Sequence, residues 1–174
     1  MSDTVTRTNQ RKLVIGGVVL FVLLAIAAVA LVWWMRPKDI FDAAWKGDAK
    51  AVKNLLDRGV GVNSLNEVKD IPLHLAKTKD VAELLLSKGS ELDRPNAFGG
   101  TPLHMAAING RPEVAAVLIE HGAKVNALDM VGATPLDHAI LGREKSAGGG
   151  DHQAVIKLLL SKGGTARQYA DRLK

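Results

Sequence analysis

Cysteine is absent from this chain of 174 residues, which excludes a disulfide framework and any cysteine-ligated metal site. Aromatic residues are nearly as scarce, and outside residues 13–35 only Phe41, Trp45, Phe98 and Tyr169 occur. The phrases that announce chemistry are missing too. There is no HExxH, no Gly-x-Ser-x-Gly and no glycine-rich phosphate loop leading into a helix. Serines sit within repeat or linker patterns, and the Asp/Glu pairs read as solvated faces. His138 and His152 flank a glycine-rich stretch beside Asp137 and Asp151, but a gap of 14 residues matches no tight ligand spacing. The expectation is no catalytic residue, no metal, no cofactor and no small-molecule substrate.

Charge is missing from one long stretch. From Leu13 to Met35 there are 23 residues without a single charged side chain. As a helix they reach about 34 Å, enough to cross a hydrocarbon core of about 30 Å with some tilt. Trp33 and Trp34 fall where an interfacial belt lies, and Arg11, Lys12, Arg36 and Lys38 bracket the span. The competing reading is a signal peptide cleaved near Ala30, since Ala28-Val29-Ala30 has the small-residue form. Against it, the apolar run continues through Leu31–Met35, so an uncleaved anchor is the reading adopted. Arg7, Arg11 and Lys12 argue that the tail 1–12 stays in the cytoplasm, with the rest of the chain extracytoplasmic (periplasmic in a bacterium). Arg36, Lys38, Lys46, Lys50 and Lys53 follow the span and leave the opposite orientation as the alternative.

The isoelectric point near 9.6 invites a nucleic-acid reading, but the charge is unevenly placed. Residues 1–38 carry a net +4 and residues 39–174 only +1. The basicity flanks the apolar segment and forms no binding face, so nucleic acid is not expected.

What the chain has in abundance is repetition. Gly59, Gly89, Gly122 and Gly163 recur at spacings of 30, 33 and 41 residues. Four positions before them stand Leu55, Leu85, Leu118 and Leu159; four after the first three stand Asn63, Asp93 and Asn126. The clearest copy reads Gly100-Thr101-Pro102-Leu103-His104-Met105-Ala106-Ala107. Thr101 suits a helix cap and Pro102 the first helical position, where a missing N–H costs nothing. Pro112 opens a second helix through Val114, Val117 and Leu118, and Gly122 closes it by taking positive φ. The opening phrase returns as Ile71-Pro72-Leu73-His74 and as Thr134-Pro135-Leu136-Asp137-His138.

A period near 33 carrying Thr-Pro-Leu-His resembles the ankyrin repeat. The fold class expected is therefore all-α: an ankyrin-repeat solenoid, with a hairpin loop joining helix pairs, preceded by one N-terminal transmembrane helix. The boundaries are a tail 1–12, a span 13–35, a linker 36–38 and a repeat domain 39–174. Within it lie repeats at about 39–66, 67–95, 96–128 and 129–164, then a capping helix over 165–174 begun by Thr165. Phe41 stands where later copies have histidine, and Trp45 is expected to cover the exposed end of the stack or to lean on the bilayer surface. Pro72 to Gly89 spans 17 residues against 20 from Pro102 to Gly122, which predicts a shortened inter-helix connection and a looser turn where Lys69 replaces glycine. Pro135 to Gly163 spans 28 residues, eight more than the same interval in repeat 3, which predicts a surface loop over Leu141–Gly150 and a second contact candidate.

By the same resemblance Thr101 and His104 bond locally and tie neighbouring repeats together; His74, facing Ile71, is the weaker case. The resemblance implies a protein partner held by hairpin tips and first helices. The tip positions are Val68 and Asp70, Phe98 and Gly100, Val131 and Ala133. The helix positions are Asp42, Trp45 and Lys46, then Leu75, Met105, Ile108, Asn109 and His138. The groove is expected to centre on Phe98, Met105, Ile108 and Val131, unless Phe98 packs against its own neighbour. The function implied is a non-enzymatic, membrane-anchored adaptor, inhibitor or immunity-like binder. The alternative is a structural subunit that associates through its span.

Overall fold

A computed structural model describes residues 39–145 and 150–170. The apolar span expected over 13–35 lies outside them. Among the described residues no helix is long and apolar enough to cross a membrane.

Eight helices are described, in four antiparallel pairs. The inner helices are α1 (Ile40–Lys46), α3 (Pro72–Leu75), α5 (Pro102–Ile108) and α7 (Pro135–Lys145). The outer helices are α2 (Ala49–Asp57), α4 (Lys79–Ser87), α6 (Pro112–Glu120) and α8 (His152–Ser161). None is long enough to hold in water alone, so each draws its stability from the copies beside it. Ile40, Leu73, Leu103 and Leu136 form one fully buried column, and Ala43, Ala76, Ala106 and Ala139 another. The alanines let inner helices lie close, while each buried leucine contributes roughly 2–3 kcal/mol. The outer row of Leu85, Leu118 and Leu159 is buried throughout; Leu55, in the terminal repeat, is only half-covered.

Three expectations need correction. The residues missing from repeat 2 come from the inner helix. Its connection, residues 76–78, is as long as residues 109–111 in repeat 3, but α3 has 4 residues where α5 has 7. Keeping both α4 and its connection at full length preserves the register of Leu85 in the outer row. The excess in repeat 4 is not all loop: α7 continues through Leu141 to Lys145, and residues 146–149 lie outside the description. Gly142 inside α7 is there for room, since a Cβ would lie 2.6 Å from the His152 ring and 2.6 Å from the Ile108 carbonyl. Finally, residues 165–169 are not helical, and the rest of the expected capping helix lies beyond Ala170, outside the description. Ala166 and Tyr169 do pack on the core as that expectation required.

Candidate protein-binding surface

The loops between pairs fold into three like-built tips, Asn66–Asp70, Asn96–Gly100 and Asp129–Ala133. In each, the first residue donates its N–H to the fifth carbonyl, at 3.1, 2.9 and 3.0 Å, and accepts the fourth N–H at 3.0 Å. Its side-chain Oδ1 takes the N–H of the third and fifth residues: Val68 and Asp70, Phe98 and Gly100, Val131 and Ala133. The fourth residue must then take positive φ. Gly99 and Gly132 do so freely; Lys69 does so at 60°, where a Cβ costs about 1–2 kcal/mol. The turn at Lys69 is therefore as tight as the others.

Adjacent tips are joined backbone to backbone. Ala97 donates to the Val68 carbonyl at 2.9 Å and Met130 to that of Phe98 at 3.0 Å. The histidines bond from below. The Thr101 N–H can only donate, so His104 Nδ1 accepts it at 3.1 Å, and the proton on Nε2 goes to the Ala133 carbonyl at 3.2 Å. His74 does the same between the Ile71 N–H and the Gly100 carbonyl, so losing the threonine costs only its hydroxyl contact. Burial lowers the pKa of both rings, that of His104 to about 4, so both bridge as neutral imidazoles.

This scaffold sorts the expected contact residues. The third residue of each tip is free, and Val68, Phe98 and Val131 form an exposed row, Phe98 at 64% and Val131 at 73%. Met130, which the sequence reading passed over, extends it at 76%. The fifth position is the opposite. Asp70 is 5% exposed and accepts an amide bond from Asn96 at 2.8 Å, while Gly100 and Ala133 are buried. Asp70 is therefore a tie between tips and is removed from the contact set. Leu75, Met105, Ile108 and Asn109 are half-buried along the inner helices, and Asn109 spends its amide on the Met105 carbonyl at 2.7 Å. His138 is also half-buried, with Nε2 2.8 Å from Asp129 Oδ2 and its ring edge-on to His104. Burial works against the Asp129 charge, but the His138 ring and the N–H groups of Ala133 and Val131 outweigh it and hold the carboxyl below the usual range. The motif residues Thr101, Pro102, Leu103, His104, Thr134 and Pro135 are all buried, and Gly122 sits at φ 93°.

Two further residues emerge. Asp137 replaces the motif histidine in repeat 4 and is wholly buried. Its carboxylate accepts the N–H of Thr134, Arg167, Gln168 and Tyr169 at 2.9–3.0 Å. Burial alone would raise its pKa, yet these donors keep it below the ordinary value. Gln168 also donates its side-chain amide to the Val131 carbonyl at 2.7 Å, where a further tip would have bonded. The second residue is Arg111. Its guanidinium bonds the Leu75 and Ala76 carbonyls at 3.1 and 3.0 Å and lies 4.6 Å over the Trp45 ring. Trp45 is thus half-covered by a cation from repeat 3. The signal for Arg111 lay in the deletion, because a shortened α3 leaves carbonyls to satisfy. The signal for the tips lay in Asn66, Asn96 and Asp129, spaced 30 and 33 apart like the glycines.

Among the described residues no cluster of three histidines or carboxylates is placed to hold a metal. The family model described as ankyrin repeats, in three copies, matches residues 40–129 and again 77–168. The chain is 34% identical to an ankyrin repeat protein of Rickettsia bellii, over 72% of this chain and 47% of that protein. It is 31% identical to the E3 ubiquitin-protein ligase Ufd4 of Drosophila melanogaster, over 72% of this chain and 4% of the ligase. It is 35% identical to the ankyrin repeat protein nuc-2 of Neurospora crassa, over 55% of this chain and 10% of that protein. The chain spans less than half the length of each of these relatives. Stacked helix pairs, tips built on Asn or Asp, histidine bridges from one repeat to the next and the family match agree: this chain belongs to the ankyrin repeat family.

Proposed function

We propose that this chain holds one polypeptide partner near a membrane, anchored by the apolar segment 13–35 and binding through its tips and inner helices. Ankyrin stacks are protein-interaction scaffolds, and this one carries no catalytic phrase in its sequence. The observation that carries the reading is the exposed row Val68, Phe98 and Val131. The hydrogen bonding of each tip commits its first, fourth and fifth residues, yet large apolar side chains stand in water at the third. Exposed apolar residues in a row mark an interface. Met105 and Ile108 continue the apolar surface along α5. An adaptor, an inhibitor and an immunity-like binder all use such a groove in the same way.

The test is capture of the cognate partner by the full chain. Phe98→Asp and Met105→Asp should each abolish capture while helical content is unchanged; capture that persists in both would place the groove elsewhere. The anchor supports a second reading, in which the span itself packs laterally in a membrane complex. Replacing residues 13–35 by an unrelated apolar helix should leave an adaptor working and would disable such a subunit. The proposed orientation puts the repeats outside the cytoplasm. A C-terminal tag should then be cleaved by protease in intact spheroplasts, whereas protection until lysis would reverse the orientation.

A further inference from the structure

The short inner helix of repeat 2 leaves a gap. α3 stops at Leu75, three residues or about 4.5 Å earlier than its neighbours, so the C-terminal ends of α1 and α5 face each other across it. Arg111 reaches into this gap from the start of α6. An arginine has five N–H donors. Both bonds that Arg111 makes leave from Nη1, so the edge formed by Nε and Nη2 has no acceptor among the described residues. No carboxylate among the described residues pairs with it either. Arg94, half-buried like Arg111, spends its guanidinium on the Glu91 carboxylate at 2.7 Å, whereas Arg111 has no such counter-ion among the described residues. Lys77, beside the gap and tied to α1 by its backbone N–H, forms no ion pair among the described residues. A fixed guanidinium with one edge satisfied and the other open, lying on a half-exposed tryptophan, is half of a bidentate carboxylate site.

We propose that the Nε/Nη2 edge of Arg111 receives the side-chain carboxylate of an Asp or Glu in the polypeptide bound along the groove, with Trp45 packing against the residue beside it. This rests on the groove reading above and adds the chemistry of the partner. It also sets a spacing. α5 carries the groove from the Phe98 tip towards Arg111 over about 10 Å, or three to four residues of extended peptide. An acidic residue should stand three to five positions from the apolar residue that meets Phe98.

The experiment uses the full chain in detergent micelles and a bead-displayed library of ten-residue peptides. The peptides are acetylated and amidated, so side chains supply the only carboxylates. Selected peptides should share an apolar residue and an acidic one at that spacing. Exchanging the acid for its amide should weaken binding about tenfold to the native chain and leave binding to R111Q unaltered, with R111K intermediate. Because the exchange is made in the peptide, the first comparison holds even if R111Q does not fold. Equal binding of acid and amide peptides to the native chain would overturn the carboxylate site. If those same peptides are lost on F98D, the groove itself stands. An acid preference that survives F98D unweakened would remove the groove and keep the Arg111 site. Recovery of no peptide at all would overturn both.

Discussion

Replacing Asp137 by histidine would restore the Thr-Pro-Leu-His phrase in repeat 4, and repeat-consensus reasoning would rank the change as stabilising. The structure requires the reverse. In repeats 2 and 3 the histidine has a carbonyl to donate to, at Gly100 and Ala133. At Asp137 the neighbours are three successive donors, the N–H groups of Arg167, Gln168 and Tyr169. A neutral imidazole accepts at one nitrogen only, and the Thr134 N–H claims it, so the other presents an N–H to three N–H groups. Bonds to a charged acceptor are worth about 1.5–3 kcal/mol each, but the Arg167–Tyr169 segment lies near solvent and water recovers part of the loss. We expect Asp137→His to cost about 3 kcal/mol and Asp137→Asn, which keeps one oxygen, about 1–2 kcal/mol. At this domain size 3 kcal/mol is about 10 °C in Tm. Thermal unfolding followed by circular dichroism measures the loss, and hydrogen exchange at the amides of 167–169 locates it. A histidine variant that melts at or above the native temperature, with those amides still protected, would refute the reasoning.

Other predictions follow from the same bonds. The pKa of His104, about 4 in the fold against about 6.5 unfolded, means that the unfolded chain takes up its proton first as pH falls. Stability contributed by the neutral ring should drain away between those two values, by about 3 kcal/mol in all, with His74 adding in the same direction. Denaturant midpoints measured from pH 7 to 4 test this, and His104→Asn should flatten the profile. Lys69→Gly should raise the urea midpoint by the equivalent of about 1 kcal/mol, since it removes a Cβ from the left-handed region; a lower midpoint would contradict the turn. Phe98→Asp should shift stability by no more than about 0.5 kcal/mol, because the ring stands in solvent, and the same melts that test Asp137 provide that check.

The sequence displayed the stack through residues that all four copies repeat, the glycines after the outer helices and the leucines four positions before, and through a Pro-Leu pair in three of them. Those positions face neighbouring copies and so meet nearly the same surroundings four times. Where surroundings change, the sequence was harder to read. Counting residues showed that repeat 2 was short, but which element shortened depended on Leu85 holding its place in the outer row. The deletion marked carbonyls in need of a partner but did not single out Arg111, which lies 36 and 35 residues downstream of Leu75 and Ala76. Asp70 was assigned to the partner because it lies in a tip, although alternate tip positions point to opposite sides. The sequence does not show what Asp137 faces, and the change from donor to acceptor follows from what stands opposite: three successive N–H groups where earlier repeats offer a carbonyl.

That division within each tip bears on how such a surface can specialise. The first residue, the fourth and the fifth are committed: the Asn or Asp side chain closes the turn, the fourth takes positive φ, and the fifth is buried with its carbonyl on a histidine or its carboxylate on the next tip. The third residue bonds only through its backbone, which passes from tip to tip as Val68 to Ala97 and Phe98 to Met130. Its side chain can therefore change at little cost to the fold, and Val, Phe and Val are choices that stability does not demand. The ladder is also polar along its length. Gln168 occupies the Val131 carbonyl at one end, while at the other the Glu67 N–H has no protein acceptor among the described residues. Of the fifteen tip N–H groups, that of Glu67 alone has no acceptor among the described residues, so the open end of the ladder is a donor and lies at the first tip, beside Val68.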